Sequence, residues 1–100
     1  MPSAKLLPRN IAGPQVRRLR SQQGITQQAF AERCQRMGWD ISRDTLAKVE
    51  SQMRWLADFE LMFLAEALSV PLDLLLPERG VVAQQAVREF VGRLSAGRPE

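Results

Sequence analysis

The sequence contains no histidine, no tyrosine and a single cysteine among its 100 residues. Without histidine, acid–base catalysis would depend on carboxylates and lysine, and the interruption around Gly38 keeps Asp40 and Asp44 from sharing one helix face. Cys34 lies on an apolar helix face, which is typical of a small core residue and not of a nucleophile. One cysteine without histidine cannot complete a tetrahedral zinc site. We therefore predict no enzymatic activity, no bound metal and no cofactor.

Long apolar runs are also missing. No stretch approaches the roughly 20 residues that a membrane-spanning helix needs, and the apolar part of residues 1–8 is too short for a signal peptide. A single cysteine excludes an internal disulfide and fits a reducing compartment. These absences predict a cytoplasmic protein with no membrane partner.

Positive charge is concentrated in the first half of the chain. Residues 1–54 carry ten Lys and Arg and four acids, a net charge of +6, whereas residues 55–100 carry four Arg and seven acids, a net charge of −3. Such an asymmetry favours a polyanionic partner for the first half. A solvated basic surface without a partner is the alternative.

Apolar residues recur at helical spacing throughout, and no segment predicts a strand of useful length. Pro14 is suited to the first turn of a helix and Gly24 to its end, while Thr26 and Ser42 are suited to capping two further helices. We predict a flexible N-terminal arm over residues 1–12, a helical domain over 13–77 and a C-terminal helix over 81–95. Within the domain, further helices are predicted to start at Asp58 and, as a short one, at Pro71.

An ordered set of residues covers roughly positions 11–77 of this chain. It runs through Val16-Arg17, Leu19-Arg20, Gly24-Ile25-Thr26-Gln27, Ala31, Ile41-Ser42, Thr45-Leu46, Val49-Glu50, Leu61, Leu64-Ala65, Leu68, Val70 and Leu74-Leu75. In this set the chain resembles the lambda-repressor/Cro-like helix-turn-helix regulators, the XRE family. The resemblance implies an all-α, five-helix DNA-binding domain, to which this chain adds a C-terminal helix.

The resemblance places base contacts on the third helix, at Arg43, Asp44 and Lys48. Arg43 and Lys48 suit the O6 and N7 acceptors of guanine, and Asp44 can accept from the N4 amino group of cytosine. Asp44 has an alternative role, the support of the first helical turn through the helix dipole. Contacts to the DNA backbone are expected from Gln27, Gln28, Ser42, Arg54 and Trp55. For Trp55, a core position that seals the corner between the third and fourth helices is an equal alternative.

Arg20 and Glu50 match a pair that, in relatives, joins the first helix to the end of the recognition helix. We expect a salt bridge here that orients the two helices more than it stabilises them. The alternative is that Arg20 is free to approach a phosphate.

The chain departs from the family pattern between the second and third helices. Thr26 and Ser42 are 16 positions apart, about five more than a compact helix-turn-helix allows with its turn of about 3–4 residues. We predict that the second helix continues through Met37, that residues 38–40 form an enlarged loop, and that Trp39 packs over the helix junction. The alternative for Trp39 is a position on the surface or against the DNA backbone.

The last helix has an apolar stripe at Ala83, Val87, Phe90, Val91 and Leu94, with spacing typical of two heptads. The stripe can fold back onto the domain or pair with a second copy of the chain. Because operators are usually read as two half-sites, we assign Val87, Phe90, Val91 and Leu94 to a homodimer interface.

The leading hypothesis is a sequence-specific DNA-binding transcriptional regulator, a repressor, that inserts the helix of residues 42–51 into the major groove of double-stranded DNA. An alternative is an antitoxin-type module whose terminal segments bind a toxin or another partner protein. A third reading is a helical interaction domain that has lost DNA binding.

Overall fold

The computed structural model describes residues 8–77 and 81–96, and every regular element among them is helical. The all-α prediction is therefore confirmed, although the short fifth helix is a single 3₁₀ helix. None of the described helices is both long enough and apolar enough to cross a membrane. The elements are α1 (Gly13–Gln22), α2 (Gln27–Arg36), α3 (Arg43–Glu50), α4 (Asp58–Leu68), the 3₁₀ helix (Leu72–Leu75) and α5 (Val81–Ala96).

Local side-chain chemistry sets the starts of α2 and α3. The Thr26 hydroxyl accepts a hydrogen bond of 3.1 Å from the backbone N–H of Ala29, and the Ser42 hydroxyl accepts one of 3.1 Å from Thr45. Each bond satisfies a backbone donor that the first helical turn leaves unpaired. Gly24 follows α1 at φ +70°, a left-handed conformation that favours glycine. The predicted caps are confirmed.

The core lies between α1, α2, α3 and α4. Its largest fully buried side chains include Phe30, Leu46, Leu64 and Leu68. Cys34 is also fully buried, and this burial raises the pKa of its thiol to about 11, so the reactive thiolate is suppressed. Met37, predicted as the last residue of the second helix, is the residue that follows α2 and is 41% exposed.

The enlarged connection between α2 and α3 is anchored at two points. The α2 helix ends at Arg36, and residues 37–42 lead to α3. Trp39 donates its backbone N–H to the carbonyl of Cys34 (2.9 Å), and its ring meets Phe63 of α4 edge-to-face at 5.3 Å between centroids. Ile41 is buried in the core. The extra residues therefore form an ordered loop, and Trp39 packs inward as predicted, with α4 as its ring partner.

The segment before α1 is bonded to the end of α3. Asn10 donates from its amide group to the carbonyl oxygens of Val49 (3.1 Å) and Arg54 (2.8 Å) and accepts from the N–H of Gly13 (2.7 Å). Ala12 is buried. Residues 8–12 are therefore attached to the domain, and residues 1–7 of the predicted arm lie outside the described residues.

The C-terminal helix α5 contacts the domain through one of its sides. Phe90 meets Trp55 edge-to-face, with 6.3 Å between ring centroids, and the guanidinium carbon of Arg93 lies 5.3 Å from the centre of the Trp55 ring. Val87, Val91 and Leu94 remain more than half exposed. The apolar stripe of α5 is therefore only partly covered by its own chain.

Candidate nucleic-acid interface

The outer face of α3 presents the three residues predicted to read bases. Arg43, Asp44 and Lys48 are all exposed, in the first and second turns of the helix. The guanidinium of Arg43 lies 3.3 Å from a carboxylate oxygen of Asp44, and both side chains are largely open to solvent. An exposed pair of this kind is weak. Arg43 can therefore leave Asp44 for a stronger hydrogen-bond acceptor at little cost in free energy.

A concave surface lies between α3 and the first turn of α2, and it borders a cavity of about 650 Å³. Its rim includes Gln27 and Gln28 from α2, Arg43 from α3 and Arg17 from α1. Sequence reasoning did not select Arg17. The available signal was its spacing, because Arg17 is three residues before Arg20 and so shares its side of α1.

The Arg20–Glu50 pair forms the floor of this surface. Arg20 Nε and Nη2 donate to the two carboxylate oxygens of Glu50 at 2.7 and 3.0 Å, and Arg20 Nη1 donates to the carbonyl of Ile25 at 2.6 Å. Gln27 Nε2 donates to Glu50 at 3.0 Å. Both charged residues are buried. The network joins the end of α1, the start of α2 and the end of α3, so it fixes the angles between these helices.

The remaining predicted backbone contacts on α2 and α3 are differently placed. Gln28 is exposed beside the concave surface and donates to Glu32 at 3.0 Å. The Ser42 hydroxyl is committed to its cap, because it also donates to the hydroxyl of Thr45 at 3.0 Å. The Gln28 amide is therefore more available than the Ser42 hydroxyl for a hydrogen bond to a phosphate.

Arg54 contacts Glu60, and Trp55 contacts α5. Arg54 binds both carboxylate oxygens of Glu60 at 2.9 and 3.1 Å, and these hydrogen bonds hold the pKa of Glu60 below its usual value. Trp55 is half exposed and lies against α5. Neither residue lines the concave surface next to α3. Trp55 packs against α5 in this chain, an arrangement that neither of its predicted roles described.

No cluster of three or more potential metal ligands occurs among the described residues. The concave surface carries Arg17, Arg43 and the neutralised Arg20–Glu50 pair, with Lys48 exposed on the same helix as Arg43. It can therefore supply positive charge and amide hydrogen-bond donors to an anionic polymer.

A helix-turn-helix family model matches residues 16–75, which spans α1 to the 3₁₀ helix. The chain therefore belongs to this family and is of the lambda-repressor/Cro-like (XRE) type, as the resemblance implied. Proteins of this type are DNA-binding transcriptional regulators, and this chain falls in that class.

Among solved structures, the chain is similar to the crystal structure of ClgR, a clp gene regulator from Corynebacterium glutamicum. The two are 26% identical and superpose with a TM-score of 0.62, over 92% of this chain and 93% of the other. This similarity extends past the residues of the family match and includes the C-terminal part. No curated protein sequence matches the chain significantly.

Proposed function

We propose that this protein is a sequence-specific transcriptional repressor that inserts α3 into the major groove and blocks a promoter by occupying it. The observation that carries the proposal is the exposed outer side of α3, which presents Arg43 and Lys48 and has the Arg20–Glu50 network behind it. A helix of this kind fits the major groove, and its cations match guanine acceptors.

We expect contacts to DNA phosphates beside α3, at the start of α2. Gln27 and Gln28 lie in the first turn of α2, where backbone N–H groups and the helix dipole favour an anion. We add Arg17 to the predicted set, because it opens onto the same surface. Ser42, Arg54 and Trp55 remain predicted contacts, although in the free protein Ser42 and Arg54 are engaged by Thr45 and Glu60.

Replacing both Arg43 and Lys48 by alanine is expected to abolish selection of a specific DNA site. Each lost base contact costs about 1–3 kcal/mol of discrimination, so non-specific binding should remain while the preferred site is lost. The measurement is selection from random duplex DNA with sequencing, at two salt concentrations.

The matched control is Arg18→Ala/Arg36→Ala, which removes the same charge from two exposed arginines that do not line the concave surface. This control should keep the selected site. If both double variants enrich the wild-type site equally well, or if wild-type protein enriches no site, α3 is not the reading element.

The same proposal includes a homodimer that uses α5. Phe90 is turned toward Trp55, which leaves Val87, Val91 and Leu94 as the apolar face open to a second copy. Three half-exposed aliphatic side chains on one helical stripe are unfavourable in water unless another surface covers them. A dimer would also place two copies of α3 on the two half-sites of a palindromic operator.

Leu94→Glu is expected to shift the protein from dimer to monomer and to weaken binding to a palindromic site, while the helical content stays unchanged. The charge would have to be buried in the interface, which is costly. Sedimentation equilibrium gives the oligomeric state. Gln85→Glu adds the same charge at an exposed position of α5 outside the stripe and should leave the dimer intact. A wild-type protein that is monomeric at all concentrations contradicts this part of the proposal.

A further inference from the structure

A second cavity, of about 310 Å³, lies between the segment before α1, the loop after α3, and α5. Its size is at the lower end of the range for small-molecule pockets. Apolar and aromatic side chains form most of its wall, namely Pro8, Ile11, Trp55, Leu56, Val87 and Phe90. None of its lining residues lines the concave surface next to α3, and Trp55 is the one proposed DNA contact among them.

One wall of this cavity is held by hydrogen bonds to the main domain. The backbone N–H of Arg9 donates to the carbonyl of Gln52 at 3.0 Å, and the Gln52 amide donates back to the carbonyl of Asn10 at 2.9 Å. Asn10 in turn bonds to the carbonyl of Arg54. The wall is therefore formed before any ligand arrives, which is a property of most small-molecule sites.

The polar groups of the cavity have a net positive charge. Arg9 and Arg93 line it together with Glu89, which accepts a hydrogen bond of 3.3 Å from Gln85. The Nη1 atom of Arg93 is buried and has no hydrogen-bond partner within the described part of the chain. Buried polar atoms nearly always have a partner. The guanidinium carbon lies 5.3 Å from the centre of the Trp55 ring, and Arg93 lines the cavity, so its positive charge is placed beside the apolar wall.

We propose that this cavity binds a small amphipathic anion, a carboxylate with an aliphatic or aromatic body. The apolar body packs against Trp55 and Phe90, and the carboxylate accepts hydrogen bonds from Arg93, whose planar fork matches carboxylate geometry. An apolar wall beside the positive charge of Arg93 favours this class over a neutral apolar molecule. The proposed dimer face and the cavity share Val87, whereas Val91 and Leu94 do not line the cavity. A ligand and a second copy therefore meet at Val87 and otherwise occupy different surfaces.

The test uses the full-length protein and anilinonaphthalene sulfonate, an aromatic anion that fluoresces when it enters an apolar site. Saturable binding is expected, with displacement by octanoate and not by octanol at the same concentration. Arg93→Gln should weaken the binding of both anions by about tenfold or more, the size of a lost charge-assisted hydrogen bond. Arg88→Gln, which removes an exposed arginine of the same helix outside the cavity, should leave both affinities unchanged.

Several outcomes would overturn the proposal. Equal displacement by octanol would show a merely apolar groove, and this comparison uses wild-type protein, so it does not depend on how any variant folds. Unchanged affinities in Arg93→Gln would show that the guanidinium does not contact the bound anion. Probe binding that is lost as the protein dimerises would identify a second copy as the occupant. A tenfold gain on deletion of residues 1–7 would identify the N-terminal segment instead.

Discussion

Replacement of Glu50 by alanine is expected to destabilise the fold by about 3–5 kcal/mol, the usual cost of removing one partner from a buried ion pair. Glu50 accepts from Arg20 at 2.7 and 3.0 Å and from Gln27 at 3.0 Å, and it is 5% exposed. Without it, the charge of Arg20 stays buried with only the carbonyl of Ile25 as partner. Because a small domain is stable by only about 5–15 kcal/mol, this is a large fraction of the total. Urea unfolding followed by circular dichroism measures it.

The double variant Arg20→Met/Glu50→Leu separates the cost of an unpaired charge from the value of the pair. Apolar replacement of a whole buried pair is often neutral or stabilising, so the double variant should recover most of the stability that Glu50→Ala loses. A loss below about 1 kcal/mol in Glu50→Ala would mean that the pair behaves like one on the surface. Equal losses in the single and double variants would mean that the pair itself stabilises the fold.

Gly13→Ala is expected to destabilise the protein by about 2–3 kcal/mol, in the range found for overpacked cores. A β-carbon at this position would collide with the carbonyl oxygen of Val49 and lie 2.9 Å from that of Glu50. Both contacts are backbone atoms at the end of α3, so relief requires a shift of α3 relative to α1. The free energy of unfolding measures the cost, and the loss of affinity for the selected DNA site measures the displacement of α3.

Gly92→Ala is the matched control for this effect. Gly92 lies within α5, and no atom outside its own helix backbone and chain neighbours lies within 4 Å of a β-carbon added there. Alanine should therefore stabilise α5 by roughly 0.5–1 kcal/mol through its higher helix propensity. The two substitutions are chemically identical and have opposite expected signs. A Gly13→Ala variant as stable as wild type would show that α1 and α3 do not approach as closely as described.

Much of the secondary structure was predictable because its signals are local. The caps at Thr26 and Ser42 and the ending at Gly24 act within three or four residues, and the structure confirms them. The long α2–α3 connection was also visible, as a count of residues between two caps. The short element at Leu72–Leu75 was predicted as a helix, but four residues are too few for more than a 3₁₀ turn.

The candidate site was predictable only in part. The exposed positions of α3 follow from helical spacing, since Leu46 and Val49 must face the core. The position of Arg17 beside Gln27 and Arg43 was not predicted, because these neighbours are distant in the sequence and only the spacing from Arg20 pointed to it. Whether Arg43, Asp44 and Lys48 contact bases stays a prediction that the selection experiment tests.

The helical fold, the positions where most helices begin and end, and the family all follow from the residue pattern, because caps, apolar periodicity and an ordered motif are local features of the chain. The contacts of Trp55 and Asn10 depend on how the helices pack, since Phe90 lies 35 positions after Trp55 in the chain and Asn10 bonds to carbonyls 39 and 44 positions away. Backbone carbonyls carry no sequence signal, so their partners cannot be inferred from residue patterns. The cavity beside α5 has the same origin, because three segments that are separate in sequence meet there.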